Sequence, residues 1–163
     1  MPFDPRSSSG APPRAWSGHP YPRRSLGFSL PNALRAVAII PRMNGSVLVV
    51  DDDPEFRGIA RRLLATFGLD VAGEADSAEA AVIAAGALRP GAVLVDVGLP
   101  DRDGVDLARE LSALPWRPRV VLTSTDTEAA TASEVEASGA QAFVPKIQLP
   151  NAALGELLGA PAH

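Results

Sequence analysis

The sequence of 163 residues contains no cysteine, and histidine is scarce as well. Without cysteine the chain has neither disulfides nor thiolate metal ligands, a composition that fits a reducing compartment. The two histidines, His19 and His163, lie near the two ends of the chain. The composition therefore excludes thiol chemistry and argues against a metal or acid–base centre built on imidazole.

The chain also lacks a long hydrophobic run. No apolar stretch approaches the roughly 20 residues that a membrane-spanning helix needs. The longest candidate near the N-terminus covers residues 36–40, ends at Pro41 and lacks a signal-peptide cleavage pattern. With 46% hydrophobic and 21% charged residues, the sequence is typical of a soluble globular protein. We expect a cytoplasmic protein of one domain with no membrane contact.

The two parts of the chain differ in charge and in proline content. Residues 1–42 contain eight of the sixteen prolines and six arginines against one acid, a net charge of +5, whereas residues 43–163 contain nine bases and 18 acids, a net charge of −9. We expect residues 1–42 to be disordered, because they show no sustained period and little apolar surface to bury. Three interpretations are open: Met43 is the biological start and residues 1–42 are a leader or no part of the native protein, they are an inert tail, or they are a basic arm for nucleic acid or an acidic surface.

From Met43 onward, apolar runs alternate with amphipathic stretches. The pattern predicts strands at residues 46–50, 69–75, 92–95, 119–123 and 140–144, and helices at 54–67, 76–87, 105–114, 125–138 and 151–158. Asp53 is a good N-cap and Pro54 a good first residue for the first helix. Its core-facing stripe is predicted from the spacing of Phe56, Ile59, Ala60, Leu63, Leu64 and Phe67.

Two further helix starts follow from short polar motifs. Residues 76–79 look like a capping box, and residues 125–128 can cap the fourth helix. The face of this fourth helix is mostly Ala, Thr and Ser, so it should be the least firmly packed. Five strands alternating with five helices predict an α/β fold, (βα)5, with a parallel sheet and helices on both faces.

Polar side chains follow several of these strands directly. Because the carboxyl ends of parallel strands meet at one edge, that edge should collect Asp51, Asp52, Asp96, Thr123 and Lys146. Clustered carboxylates repel one another, and octahedral Mg²⁺ with carboxylate, carbonyl and water ligands is the usual resolution. Helix capping is the alternative for the acids, and a solvated surface side chain is the alternative for Lys146, the only lysine.

Met43 to about Leu158 resembles a receiver domain of two-component signalling. The resemblance rests on Asp51-Asp52 after strand one, Asp96 with the Leu99-Pro100 and Gly104 loop, Thr123 and Ser124 ending strand four, Phe143 in strand five and Lys146 after it. It implies a flavodoxin-like, doubly wound sheet with strand order 2-1-3-4-5.

The resemblance also implies a mechanism. Asp96 would accept the phosphoryl group from the phosphohistidine of a sensor kinase or phosphotransfer protein. Mg²⁺ would be held by Asp52, Asp96 and the Gly98 carbonyl, with Asp51 acting through water. Lys146 and the Thr123 hydroxyl would contact the phosphoryl oxygens, and Thr123 with Phe143 would switch the face that meets a downstream protein.

Three features depart from the family pattern. Ile147 stands where proline usually follows the lysine, so we expect a trans bond and a differently shaped loop. Phe143 lacks the hydroxyl of a tyrosine switch, and Gly98 leaves bare the position two residues past Asp96.

Other functions remain to be weighed. Apart from chemistry on its own aspartate, we expect no enzyme activity, and the sequence predicts no DNA-binding domain in this chain. The alternatives are a scaffold that keeps the fold without the switch, or an Mg²⁺-dependent aspartyl-phosphate phosphatase. Gly98 argues against the phosphatase, because that chemistry needs a second aspartate there. The oligomeric state stays open.

Overall fold

The computed structural model describes residues 43–160, in which five strands and five α-helices alternate. The strands are β1 Met43–Val50, β2 Asp70–Ala75, β3 Pro90–Asp96, β4 Arg119–Ser124 and β5 Ala142–Pro145. The helices are α1 Pro54–Thr66, α2 Ala78–Leu88, α3 Gly104–Ser112, α4 Ala132–Ser138 and α5 Leu154–Leu158, with a 3-10 helix, Lys146–Asn151, before α5. The expectations for residues 1–42 lie outside the described residues.

The five strands form one parallel sheet in the order β2-β1-β3-β4-β5. This order confirms the predicted (βα)5 flavodoxin-like fold. The strand order reverses at β1, whose two neighbours are β2 and β3, and β4 continues outward from β3. In such sheets the crevice beside the reversal point, at the carboxyl ends of the strands, is where ligands bind.

Two apolar layers enclose the sheet. Successive strand residues point to opposite faces, so β1 and β3 contribute alternately to both layers. One layer contains Leu48, Val50, Val93 and Val95 with residues of α2 and α3; the other contains Val47, Val49, Ala92 and Leu94 with residues of α1 and α5. None of the described helices is long and apolar enough to cross a membrane.

Helix α1 begins as predicted, but its apolar stripe is narrower than the sequence indicated. The Asp53 side chain accepts a hydrogen bond from the Glu55 N–H (2.9 Å), and Pro54 is the first helical residue. Phe56, Ala60 and Leu64 are buried, whereas the predicted core residue Ile59 is 55% exposed. At 100° per residue, Ile59 lies too far around the helix from the buried three to reach the sheet.

The predicted capping box at residues 76–79 is wrong. Ser77 is the N-cap of α2 and accepts a hydrogen bond from the Ala80 N–H (3.1 Å), so the third helical residue is Ala80 rather than a glutamate. Glu79 therefore occupies a position from which it cannot complete the box. The helix also continues one residue further than predicted, to Leu88.

Helix α4 begins seven residues later than the predicted position at residue 125. Asp126 and Ser124 instead stabilise a turn, in which Asp126 Oδ1 accepts from the Glu128 N–H and Ser124 Oγ accepts from the Asp126 N–H. The capping box that starts α4 is formed by Thr131 and Glu134. Ser138 is the one buried residue of α4, which confirms that this helix is weakly packed.

The last part of the domain also differs from the prediction. The strand expected at residues 140–144 lies at 142–145, and the helix expected from Asn151 begins at Leu154. Residues 146–151 form the 3-10 helix instead, with Pro150 inside it. Proline cannot donate the hydrogen bond that an α-helix would need at that point.

Candidate functional site

The predicted site residues meet at the carboxyl edge of the sheet. Asp51 directly follows β1, Asp96 is the last residue of β3, and Lys146 directly follows β5. Thr123 in β4 lies opposite Asp96 in the strand register. The parallel arrangement therefore brings together residues that are up to 95 positions apart in the chain.

Three carboxylates form the centre of this site. Asp51 is fully buried, Asp96 is 6% exposed, and Asp52 is exposed. One carboxylate oxygen from each of the three lies within 4.8 Å of the others. Oxygen atoms at this spacing suit a hard divalent cation such as Mg²⁺, and the open side at Asp52 leaves room for water ligands.

The two oxygens of Asp51 have different surroundings. Oδ1 accepts a hydrogen bond from the Asp53 N–H (2.8 Å), and Arg57 donates to the Asp51 backbone carbonyl (2.7 Å). Oδ2 lies 2.6 Å from Lys146 Nζ, but no donor reaches it in hydrogen-bond geometry. The ion pair with the Lys146 ammonium group nevertheless offsets the charge of this buried oxygen.

Lys146 is the positive charge of the site. Its Nζ lies 2.6 Å from Asp51 Oδ2 and 3.8 Å from Asp96 Oδ1, and the side chain is 15% exposed. The same Nζ lies 4.0 Å from the centroid of the Phe56 ring. The bond to Ile147 is trans, as expected, and Lys146 starts the 3-10 helix. Phe56 could not be recognised as a site residue from the sequence, because a place in the apolar stripe of α1 is a sufficient reason for a phenylalanine at this position.

The surroundings of Asp96 change its pKa. Burial raises its pKa to about 6, and the neighbouring carboxylates of Asp51 and Asp52 act in the same direction. Lys146 and the hydrogen bond from the Gly98 N–H oppose this rise in pKa. A raised pKa at a partly enclosed carboxylate beside a specific cationic partner is typical of functional sites.

The loop between β3 and α3 holds Asp96 from the other side. Gly98 and Asp103 form a bridge across the loop, and the Gly104 N–H donates to the Val97 carbonyl (2.8 Å). A side chain at Gly104 would collide with the Asp96 carbonyl and the Val97 backbone. Only glycine therefore allows α3 to start this close to the end of β3.

Asp101 in the same loop is a residue that the sequence analysis missed. Its carboxylate accepts hydrogen bonds from the Ala78 and Glu79 N–H groups (2.9 and 3.0 Å), which cap the first turn of α2. These two bonds hold the pKa of Asp101 below its usual value. No local signal links positions 78 and 101, because the contact depends on the packing of α2 beside the loop.

The predicted switch residues lie in the two strands beyond β3, Thr123 in β4 and Phe143 in β5. The Thr123 hydroxyl is fully buried and donates to the Val144 carbonyl in β5 (2.7 Å). Phe143 is half-buried and packs against the apolar layer that contains residues of α2 and α3. Thr123 thus links β4 to β5 in this structure.

A parallel five-stranded sheet with an acidic cluster and a lysine at its carboxyl edge defines a class of signalling domain. Residues 47–156 match the response regulator receiver domain family, and the chain belongs to that family.

Three relatives illustrate the match. The chain is similar to the chemotaxis protein CheY of Thermotoga maritima, with 29% identity over 104 residues, 64% of this chain and 87% of that protein. It is 33% identical over 107 residues to protein-glutamate methylesterase/protein-glutamine glutaminase 3 of Hahella chejuensis, covering 64% of this chain but only 31% of that relative. Among solved structures, the NarL receiver domain of Mycobacterium tuberculosis is 31% identical with a TM-score of 0.61, covering 71% of this chain and 98% of that one.

Proposed function

We propose that this protein is the phosphoacceptor of a two-component system and that Asp96 receives the phosphoryl group. The observation that carries the proposal is the position of Asp96, buried at the end of β3 beside Asp51, Asp52 and Lys146. Membership of the receiver family supports it, since receiver domains are generally signalling phosphoacceptors. We infer that the donor is the phosphohistidine of a sensor kinase or of a phosphotransfer protein.

In the transfer step, an oxygen of the Asp96 carboxylate attacks the phosphorus atom of the donor. The new oxygen–phosphorus bond forms as the phosphorus–nitrogen bond breaks, and the imidazole nitrogen leaves with the electron pair. Asp96 must be ionised to attack, and its pKa of about 6 leaves most of it ionised at neutral pH. The burial that raises this pKa also limits the water around the reacting carboxylate.

The acidic cluster fits Mg²⁺, with Asp52, Asp96 and the Gly98 carbonyl as proposed ligands and Asp51 acting through water. The grouping of one oxygen from each of the three carboxylates, all within 4.8 Å of one another, supports this assignment. When bound, the cation would offset the negative charge that carboxylates and phosphoryl oxygens bring to the same place.

Lys146 and Thr123 have separate roles in this proposal. Lys146 Nζ, 3.8 Å from Asp96 Oδ1, is close enough to pair with an oxygen of a phosphoryl group on Asp96. The Thr123 hydroxyl must give up its hydrogen bond to the Val144 carbonyl before it can donate to that group. This change would remove one side-chain link between β4 and the strand that carries Phe143, while the backbone pairing of the two strands remains.

We infer that the downstream protein binds the surface around Phe143. A shallow groove there is lined by Phe143 and by Ala130, Ala132 and Val135 at the start of α4. Because α4 contributes one buried residue to the core, its position costs little to change. A phosphoryl group adds up to about two negative charges, enough to bias such an element.

The test is intact-mass spectrometry of the protein with Mg²⁺ and acetyl phosphate, beside Asp96→Asn. We expect one added phosphoryl group in the wild type and none in the variant, because the amide is a far weaker nucleophile. No gain, or equal gain in both proteins, would contradict the assignment and favour a scaffold. Continuous consumption of acetyl phosphate over many turnovers would favour a phosphatase instead.

A further inference from the structure

The Phe56 ring lies directly against the ammonium group of the only lysine. Phe56 is the third residue of α1, is 8% exposed and belongs to the apolar layer that α1 and α5 form on the sheet. Lys146 Nζ lies 4.0 Å from its ring centroid, within the distance at which a cation is attracted to the face of an aromatic ring. The attraction is strongest where water is excluded, and the Lys146 side chain is 15% exposed.

The segment that carries Lys146 offers this side chain little support of its own. The next residue, Ile147, is 80% exposed, so it does not pack Lys146 into place. A long, flexible lysine side chain loses considerable rotamer freedom when it is held in one position. Within residues 43–160, Nζ is held by the Asp51 ion pair, by the more distant Asp96 and by the Phe56 ring.

The three contacts of Nζ would respond differently to a cation or a phosphoryl group in the site. A cation or a phosphoryl group would change the charge at Asp51 and Asp96, and with it the pull of these carboxylates on Lys146. The ring attracts the ammonium through its quadrupole and uses no carboxylate oxygen. Phe56 can therefore hold Nζ in the site while its charged partner changes from Asp51 to a phosphoryl oxygen.

We propose that Phe56 is a positioning residue, whose ring face keeps the Lys146 ammonium within reach of a phosphoryl group on Asp96. This inference rests on the proposed phosphoacceptor function and adds an aromatic residue to its machinery. The face of the ring provides the effect, so an aromatic replacement should preserve it and an aliphatic one should remove it.

The contact is tested first by NMR on the full chain labelled with ¹³C in lysine only. Because Lys146 is the only lysine, the sample gives a single lysine spin system. Protons held over a ring face are shielded, so we expect the ε-methylene signal upfield of its ordinary position in the wild type and in Phe56→Tyr. It should move back downfield in Phe56→Leu, and Phe56→Met serves as a second ring-free variant if the leucine variant does not fold.

Phe67→Leu is the matched control. Phe67 ends the same helix and packs in the same apolar layer, about 16 Å away along the helix axis. This control also loses a ring from the layer, so its free energy of unfolding should fall, but its Lys146 signal should stay at the wild-type position. An unchanged Lys146 signal in both ring-free Phe56 variants would overturn the inference, whatever the phosphorylation assay gives.

The second measurement is the rate at which Mg²⁺ and acetyl phosphate add a phosphoryl group. We expect Phe56→Leu to be slower by about three- to tenfold, the range that a partly desolvated cation–π contact implies, while Phe56→Tyr and Phe67→Leu keep the wild-type rate. Equal rates in all four proteins would overturn the positioning role. If the wild type takes up no phosphoryl group, the proposed function and the positioning role both fail, while the NMR signal still decides whether the contact exists.

Discussion

The proposed chemical role of Asp96 comes with a cost in stability. Its carboxylate is 6% exposed and lies close to two others, and these surroundings raise its pKa to about 6. In the unfolded chain an aspartate has a pKa near 3.9, so between about pH 4 and pH 6 the folded protein binds the proton more tightly. Unfolding releases that proton, so the contribution of Asp96 to stability decreases as pH rises through this window and stays low above it.

From this we predict that Asp96→Asn stabilises the protein in the absence of divalent cations, and more so at neutral than at acidic pH. The gain in the free energy of unfolding should grow from pH 4.5 to pH 6.5 and reach about 1 to 3 kcal/mol, because the amide carries no charge to bury. Urea unfolding with EDTA across this range measures it. Asp106→Asn, which changes an exposed acid on α3, is the control. A gain that does not depend on pH would contradict the explanation.

At the scale of elements, the junction between β3 and α3 is the tightest contact of the site. Gly104 begins α3 against the backbone of Asp96 and Val97, and Gly98 and Asp103 close the loop. Asp101 in this loop also caps α2, so one loop fixes the start of two helices and the end of β3.

We predict that Gly104→Ala destabilises the protein by about 1 to 3 kcal/mol or more, because the added methyl group collides with backbone that cannot move aside. Gly86→Ala in α2 is the matched control, since a methyl group there meets no atom within 4 Å. In a helix interior the same change should stabilise by about 0.5 to 1 kcal/mol. Thermal and urea unfolding of the two variants measure the difference. If both changes had the same sign, the close approach at Gly104 would not matter for stability.

At the scale of the whole molecule, the acidic cluster joins two parts of the sheet. Asp51 and Asp52 follow β1 and Asp96 ends β3, the two strands at the centre of the fold. The proposed Mg²⁺ would bind only the folded chain, because the unfolded chain does not keep these carboxylates together. Binding must therefore raise global stability.

We predict that Mg²⁺ raises the melting temperature of the wild type, and that the stabilisation grows with the logarithm of the Mg²⁺ concentration above the dissociation constant. At a Mg²⁺ concentration of 100 times this constant, the free energy of unfolding increases by about 2.7 kcal/mol. Calorimetry with and without Mg²⁺, at matched ionic strength, tests this. The gain should disappear in Asp52→Asn, and Glu136→Gln, an exposed acid on α4, should keep it. Equal stabilisation of both variants would indicate screening of surface charge rather than a site.

The order of elements follows from the sequence because it depends on local patterns. Apolar runs such as residues 47–50 and 92–95 indicate buried strands by themselves, and Asp53-Pro54 starts a helix through the Asp53 side chain, which caps it, and the Pro54 ring. Helix boundaries were predicted less well from the sequence where two local signals compete. At α4, Asp126 and Thr131 can each begin a helix, and the choice of Thr131 depends on where the short helix meets the rest of the fold.

The sequence also determined which residues form the site. Carboxylates, a hydroxyl and a lysine that lie at the carboxyl ends of parallel strands must share one edge of the sheet. Only the tertiary structure decided the contacts in and around the site. Asp101 caps α2, the Thr123 hydroxyl donates to the Val144 carbonyl, and the Phe56 ring lies against the Lys146 ammonium group. Each of these pairs residues 21 or more positions apart in the sequence. Such contacts arise from the packing of whole elements against each other, and a local pattern carries no information about that packing.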